Sequence, residues 1–376
     1  MNPSPNNRWL HRFAVLTALA TLALIGIGGL VTSHEAGMSV PDWPTSYGYN
    51  MFFFPLNKWW HAGNVFYEHS HRLFASGVGF LTIILMVWLW MKDPRKWMKW
   101  LGVAAFFAVV LQGVLGGLRV ILFKDQIGIF HATLAQLFFV LTCAIALFTS
   151  KWWWRMTDTE DGTRLAAPER SEGGNTHTSN LHKIFLATTL LILFQLILGA
   201  TMRHQHAGLS IRDFPLAYGK LWPATDAASV ARYNQNRVEI TNFNPITAFQ
   251  IELQMVHRMV AVLILCAVAF CAWRAWRKSS GPVVKLSVFW FVLILCQAGL
   301  GVATILSDKA ADIATAHVLV GALSLATGAM LSIIAVRLPQ CAVGVSPAEV
   351  VSTRPPAVNL DGVSDLGTAG KLPAAH

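Results

Sequence analysis

Residues 67–75, YEHSHRLFA, place Glu68, His69, His71 and Arg72 at the mouth of a run that is otherwise apolar for about twenty residues, the length of a bilayer-spanning helix. Four ionisable groups at such a place are costly in hydrocarbon and call for a reason. Residues 253–261, LQMVHRMVA, open a second apolar run and supply one. They repeat the His-Arg pair as His257 and Arg258, but carry Gln254 where the first stretch carries Glu68.

The same contrast extends over the whole chain. Of 376 residues, 54% are hydrophobic and 13% charged, and the charges cluster between long apolar runs, which marks an integral membrane protein. Runs of spanning length lie at about 13–33, 72–92, 99–122, 128–149, 182–202, 254–274, 283–306 and 313–336, so the expected fold is all-α with eight transmembrane helices. Eight spans put both termini on one side. Basic residues mark that side as cytoplasmic: Arg8 and Arg12, then Lys92, Arg95, Lys96 and Lys99, then Lys151, Arg155 and Lys183, then Arg274, Arg277, Lys278 and Lys285. The net charge of +10 is thus topology information and attraction to anionic lipid, and it comes with no nucleic-acid motif. The opening MNPSPNNRWLHRF is too short and too weakly basic for a transit peptide, and the first span reads as a retained helix. The five cysteines suggest neither a disulfide framework nor a thiolate metal site.

Four landmarks recur in the same order. GGLVTSHEAGMSVPDWPTSYG after the first span matches LGATMRHQHAGLSIRDFPLAYG after the fifth in A-G-x-S-x-x-D-aromatic-Pro and a closing Tyr-Gly. EHSHRLFA matches QMVHRMVA, LQGVLGGL matches CQAGLGVA, and GIFHATLAQL matches ATAHVLVGAL. Both halves start on the cytoplasmic side, so the repeat is parallel and predicts two pseudo-symmetric four-helix bundles about an axis along the membrane normal. The expected organisation is an N-terminal bundle at 1–154, a polar linker at 155–181, a C-terminal bundle at 182–340 and a disordered tail at 341–376.

His71 and His131 are 60 residues apart, as are His257 and His317. Sixty residues carry the chain across the membrane and back, so both members of each pair sit at one depth, at the outer helix ends. Two imidazoles on facing helices, without cysteines or converging carboxylates, suit axial ligation of one haem iron per bundle better than zinc or a di-metal centre. Arg72 and Arg258 follow their histidines directly. They are candidates for binding haem propionates, or arginines that snorkel to the interface. Glu68, three residues before His71, shares its helix face, and Gln254 is its counterpart. Glu68 is then a candidate for proton transfer or for stabilising positive charge, or a structural partner that orients His71 or Arg72; the asymmetry between the halves favours chemistry.

These residues resemble the haem A synthase family over all eight spans, on E-x-x-H-R at 68–72, EAGMSVPDWP after the first span, L-Q-G-x-x-G in the third, and His131, His257 and His317. The resemblance implies that His71 and His131 take haem O as substrate and that His257 and His317 hold haem b as cofactor. It implies that Glu68 is the catalytically important carboxylate. The implied reaction hydroxylates one ring methyl twice, and the gem-diol loses water to leave the formyl group of haem A. Haem O synthase, cytochrome oxidase assembly factors and an electron acceptor or donor are the implied partners, and a bacterial cytoplasmic (inner) membrane the implied location. The first long loop, residues 34–66, lacks the cysteine pair of some bacterial members, so the chain is closer to the branch without it.

A di-haem electron carrier and a haem transporter or chaperone are the competing readings. A carrier moving charge across the bilayer needs haems at two depths, whereas all four histidines are expected at one. His34, His61, His69, His204 and His206 form loose patterns that do not repeat between the halves. Asp42 and Asp213 do repeat and read as turn residues. KWWW at 151–154 reads as an interfacial anchor.

Overall fold

The computed structural model describes residues 7–155, 181–237, 245–279 and 281–337. Among them eight helices are long and apolar enough to cross a membrane: α1 (Arg8–Ser33), α2 (Asn64–Lys92), α3 (Lys96–Leu122), α4 (Asp125–Phe148), α5 (Leu181–His204), α6 (Ala248–Lys278), α7 (Pro282–Leu306) and α8 (Ala311–Arg337). No strand occurs among these residues, and the chain is an all-α integral membrane protein. Most of the linker expected at 155–181 and the tail expected at 341–376 lie outside the described residues.

The apolar runs locate the helices but understate two of them. α2 starts at Asn64, not 72, so Glu68, His69, His71 and Arg72 lie inside the helix and not at its mouth. α6 starts at Ala248, not 254, behind a capping box in which Thr247 and Gln250 satisfy each other's backbone N–H groups. Hydropathy measures the hydrocarbon-crossing part; a cap and two polar turns extend a helix without entering it.

α1 packs on α2 and α4, α2 on α3, and α3 on α4; α5 packs on α6 and α8, α6 on α7, and α7 on α8. α1 and α4 meet α8, and α4 also meets α5. One core gathers Leu10, Val78, Leu85, Leu89, Met98 and Ile145 from the first four helices, and another gathers Phe185, Ile192, Val268, Trp290, Leu325 and Leu331 from the last four. A smaller cluster of Ile25, Phe139, Ala322 and Ala326 fills the seam. In lipid such contacts are held by close packing more than by hydrophobic transfer. Buried polar groups are satisfied locally: Thr17, Thr21 and Thr82 donate to the carbonyls four residues back, and the Trp290 indole N–H donates to Ser324 O at 2.8 Å. In the KWWW segment Trp153 is buried against Phe148, their ring centroids 4.9 Å apart, so it is a packing residue more than an interfacial one. Cys143, Cys266, Cys271 and Cys296 are free thiols.

Candidate functional site

At the end of the molecule where α1 leads into α2 and α5 into α6, the two matching loops fold alike. Asp42 accepts hydrogen bonds from the backbone N–H groups of Tyr47 and Gly48 and from the Thr45 hydroxyl; Asp213 accepts from the N–H groups of Tyr218 and Gly219. Burial alone would raise the pKa of Asp42, but its hydrogen bonds with Gly48, Thr45 and Tyr47 outweigh this and hold it below the ordinary carboxylate range. The Tyr47 hydroxyl donates to Ser39 O and the Tyr218 hydroxyl to Ser210 O. Trp43-Pro44 and Phe214-Pro215 are both cis, and Gly48 and Gly219 both take a positive φ, 79° and 75°, which the closing Tyr-Gly of the motif accommodates. Asp42 and Asp213 are thus the turn residues expected of them.

Each loop is fastened to a helix by the residues singled out in the sequence. Glu68 Oε2 accepts from Val40 N at 2.8 Å, and Gln254 Oε1 accepts from Ile211 N at the same distance. The other Glu68 oxygen pairs with Arg72 Nη2 at 2.8 Å, whereas the Gln254 amide donates to Ile211 O at 3.0 Å. Arg72 also donates to the carbonyls of Val40, Asp42 and Thr45; Arg258 donates to those of Ile211, Asp213 and Leu216. These contacts engage Nη1 and Nη2 of both arginines, while Arg258 Nε is buried without a partner. The Glu68/Gln254 position therefore has a shared structural task, holding the loop, and a private feature, a buried carboxylate with both oxygens occupied.

His71 and His131 lie within electrostatic reach of each other, as do His257 and His317. They sit in the first three turns of α2, α4, α6 and α8, so all four share one end of the molecule. In every one Nδ1 is buried without a partner, and Nε2 has no protein hydrogen bond except a marginal 3.5 Å contact between His317 and Gln297. Each ring also lies against a glycine of a neighbouring helix. A Cβ at Gly28, Gly116, Gly199 or Gly301 would meet Cε1 of His71, His131, His257 or His317 at 3.1, 3.4, 3.4 and 3.2 Å. Gln112 and Gln195 donate to the backbone carbonyls of His131 and His257 at 3.0 and 2.9 Å, tying the histidine helices to α3 and α5. An imidazole whose buried Nδ1 has no protein partner and whose Nε2 is free or only marginally held is poised for a further ligand, and two such rings per half fit axial ligation of haem iron.

Three of the other histidines have structural places. His34 stacks on Tyr67 at 4.1 Å, His69 Nδ1 lies 3.1 Å from Ser46 Oγ, and His204 packs so tightly on α4 that a Cβ at Gly128 would lie 2.4 Å from it. Among the described residues no three His, Cys, Asp or Glu side chains gather as a metal cluster. Gly28, Gly116, Gly199 and Gly301 stand in the motifs GGL, LQGVLGGL, LGA and CQAGLGVA, which do not by themselves mark what the glycines face. Arg119, in the last turn of α3, lies just outside these motifs, and its charge acts on both His71 and His131.

The family model for cytochrome oxidase assembly proteins matches residues 11–329, which takes in all four histidines and Glu68. The chain belongs to the cytochrome oxidase assembly protein family. Curated relatives of this chain include the haem A synthase of Rhizorhabdus wittichii, 27% identical over 86% of this chain and 93% of the relative. The haem A synthase of Allorhizobium ampelinum is 25% identical over 84% and 87%, and that of Alkalihalophilus pseudofirmus is 25% identical over 83% and 92%. These relatives are matched over most of their length.

Proposed function

We infer that this protein is a haem A synthase, an oxidoreductase that converts haem O to haem A. Supporting the assignment are the family, the relatives named for that activity, and above all the four imidazoles whose buried Nδ1 atoms have no protein partner, two in each half. Residues 1–154 are read as the substrate bundle, with His71 and His131 as ligands to haem O. Residues 182–340 are read as the cofactor bundle, with His257 and His317 holding haem b. The histidine end is placed toward the outer face of a bacterial inner membrane, with both termini cytoplasmic, on the distribution of Lys and Arg.

When bound, the haems supply a redox-active iron and a ring methyl open to two successive hydroxylations that end in a formyl group. The chain supplies position and proton handling. The glycines let four imidazoles lie close against the helices behind them, and the clamped loops cover the site. Glu68, 4% exposed and ion-paired with Arg72, is an acceptor at Oε1 and Oε2 and the group in this bundle able to take up a proton released on oxidation. The test is pigment extraction and chromatography after co-expression with a haem O source. Haem A together with haem b is expected; haem b alone in fixed stoichiometry would instead identify an electron carrier.

A further inference from the structure

We propose that Arg119 anchors a carboxylate of the substrate haem in the N-terminal site; the proposal rests on the haem assignment above. Arg119 makes no hydrogen bond or ion pair among the described residues, and its Nε is buried without a partner. Glu68 and Asp125 are near enough for their charges to act on it, yet neither pairs with it. The loop folds over the guanidinium: a Cβ at Gly37 would meet Nη1 at 2.9 Å and Nη2 at 3.1 Å.

An arginine in the last turn of a helix ordinarily reaches water, where the helix dipole favours it. Here Gly37 lies against the guanidinium and Nε is buried without a partner, and a partly buried cation that pairs with neither neighbouring carboxylate is costly. A carboxylate held by the unpaired Nη donors would answer that charge, and the guanidinium lies within electrostatic reach of both His71 and His131. Haem carries two propionates, and a planar guanidinium recognises carboxylate with paired N–H donors. Arg72 cannot take this role while its donors hold Val40, Asp42, Thr45 and Glu68.

The C-terminal half lacks the feature. Thr304 stands in the place of Arg119 and returns its hydroxyl to Leu300 O at 2.8 Å. Gly208, the counterpart of Gly37, meets only the aliphatic Cδ of Lys309, at 3.7 Å. Arg119 is thus a positioning and selectivity residue of the substrate site alone.

Haem-depleted full-length protein in detergent is titrated with haem O and with haem O dimethyl ester, whose propionates carry no charge. The part of the Soret change lost in His131→Ala reports the N-terminal site. Wild-type protein is expected to bind the free acid roughly tenfold to a hundredfold tighter than the ester, the worth of a charge-assisted hydrogen bond. Arg119→Leu loses that preference and leaves ester affinity unchanged, and Arg119→Lys restores part of it. Equal weakening of both ligands, or an unaltered preference, overturns the proposal. Absence of any His131-dependent spectrum in the wild type overturns the haem assignment and this proposal with it, and is distinguishable because it precedes any substitution at Arg119.

Discussion

The two halves use the same scaffold for different ends. Both carry an Asp-aromatic-Pro loop, both fasten it through a side chain three residues before the first histidine, and both lay an arginine across the loop carbonyls. They differ in what remains after these shared tasks. The C-terminal clamp is neutral at Gln254, and Thr304 and Val302 line the adjacent helix. The N-terminal clamp adds an ion pair, Glu68 with Arg72, the unpaired Arg119, and Gly117, against which the Trp43 ring lies. Charge gathered around one loop clamp, over an otherwise duplicated frame, is the difference on which the proposed division into a substrate half and a cofactor half rests.

Making the halves alike at one atom is the strongest way to break the comparison. Glu68→Gln keeps an oxygen for the Val40 N–H, as Gln254 does for Ile211, but removes the carboxylate. Haem A formation should fall by about a hundredfold or more while both haems are retained, as extraction and chromatography would show. Haem A made at the wild-type rate would reduce Glu68 to a loop clamp. The reciprocal Gln254→Glu should preserve the fold and add no activity.

Much of this contrast was legible in the sequence. Apolar runs located eight spans because the hydrocarbon thickness sets their length, and the duplicated landmarks singled out His71, His131, His257, His317 and the Glu68/Gln254 difference. The arginines were harder: nothing in HR, written twice, shows that the loop brings its own carbonyls to meet Arg72 and Arg258. Gly28, Gly116, Gly199 and Gly301 were hidden because their role is to be small opposite a ring 43, 15, 58 or 16 residues further along the chain. Arg119 did leave a signal. It is a basic residue at the end of a span opposite to the one the charge bias favours, aligned with a threonine.

Steric substitutions come next in size. An alanine Cβ at Gly117 would lie 2.3 Å from Trp43 Cδ2, so Gly117→Ala should expel the ring and cost about 1–3 kcal/mol, read as a lower melting temperature and loss of haem from the N-terminal site. Val302 already occupies the matching place in the other half, and Val302→Ala should leave the C-terminal haem spectrum unchanged. Subtler still, Gly28→Ala puts Cβ 3.1 Å from His71 and should shift the spectrum of the N-terminal haem. Gly199→Ala, at an ordinary 3.4 Å from His257, should leave its site intact and gain up to about 1 kcal/mol of helix stability. Equal responses from the two would mean that the glycines do not set the imidazole positions.

The smallest expected effect concerns the loops themselves. Tyr218 stacks flat on Tyr233 with ring centroids 3.8 Å apart, whereas Tyr47 has Phe54 at 6.1 Å. Burial, then the nearby Tyr233 phenol and the Asp213 carboxylate, push the Tyr218 hydroxyl up to about 12. The neutral phenol is the form that donates to Ser210 O, so folding favours the protonated state. The stabilisation is therefore complete below the ordinary phenol pKa of about 10 and is lost as pH rises through the folded value. An alkaline titration of phenolate absorbance should show a late step near pH 12 that Tyr218→Phe removes. Phe in place of Tyr233 takes away one neighbouring phenol and should move that step down. A Tyr218 step at the ordinary value would mean that the second loop is no more closed than the first, and the contrast between the halves would then rest on the charges around Glu68 alone.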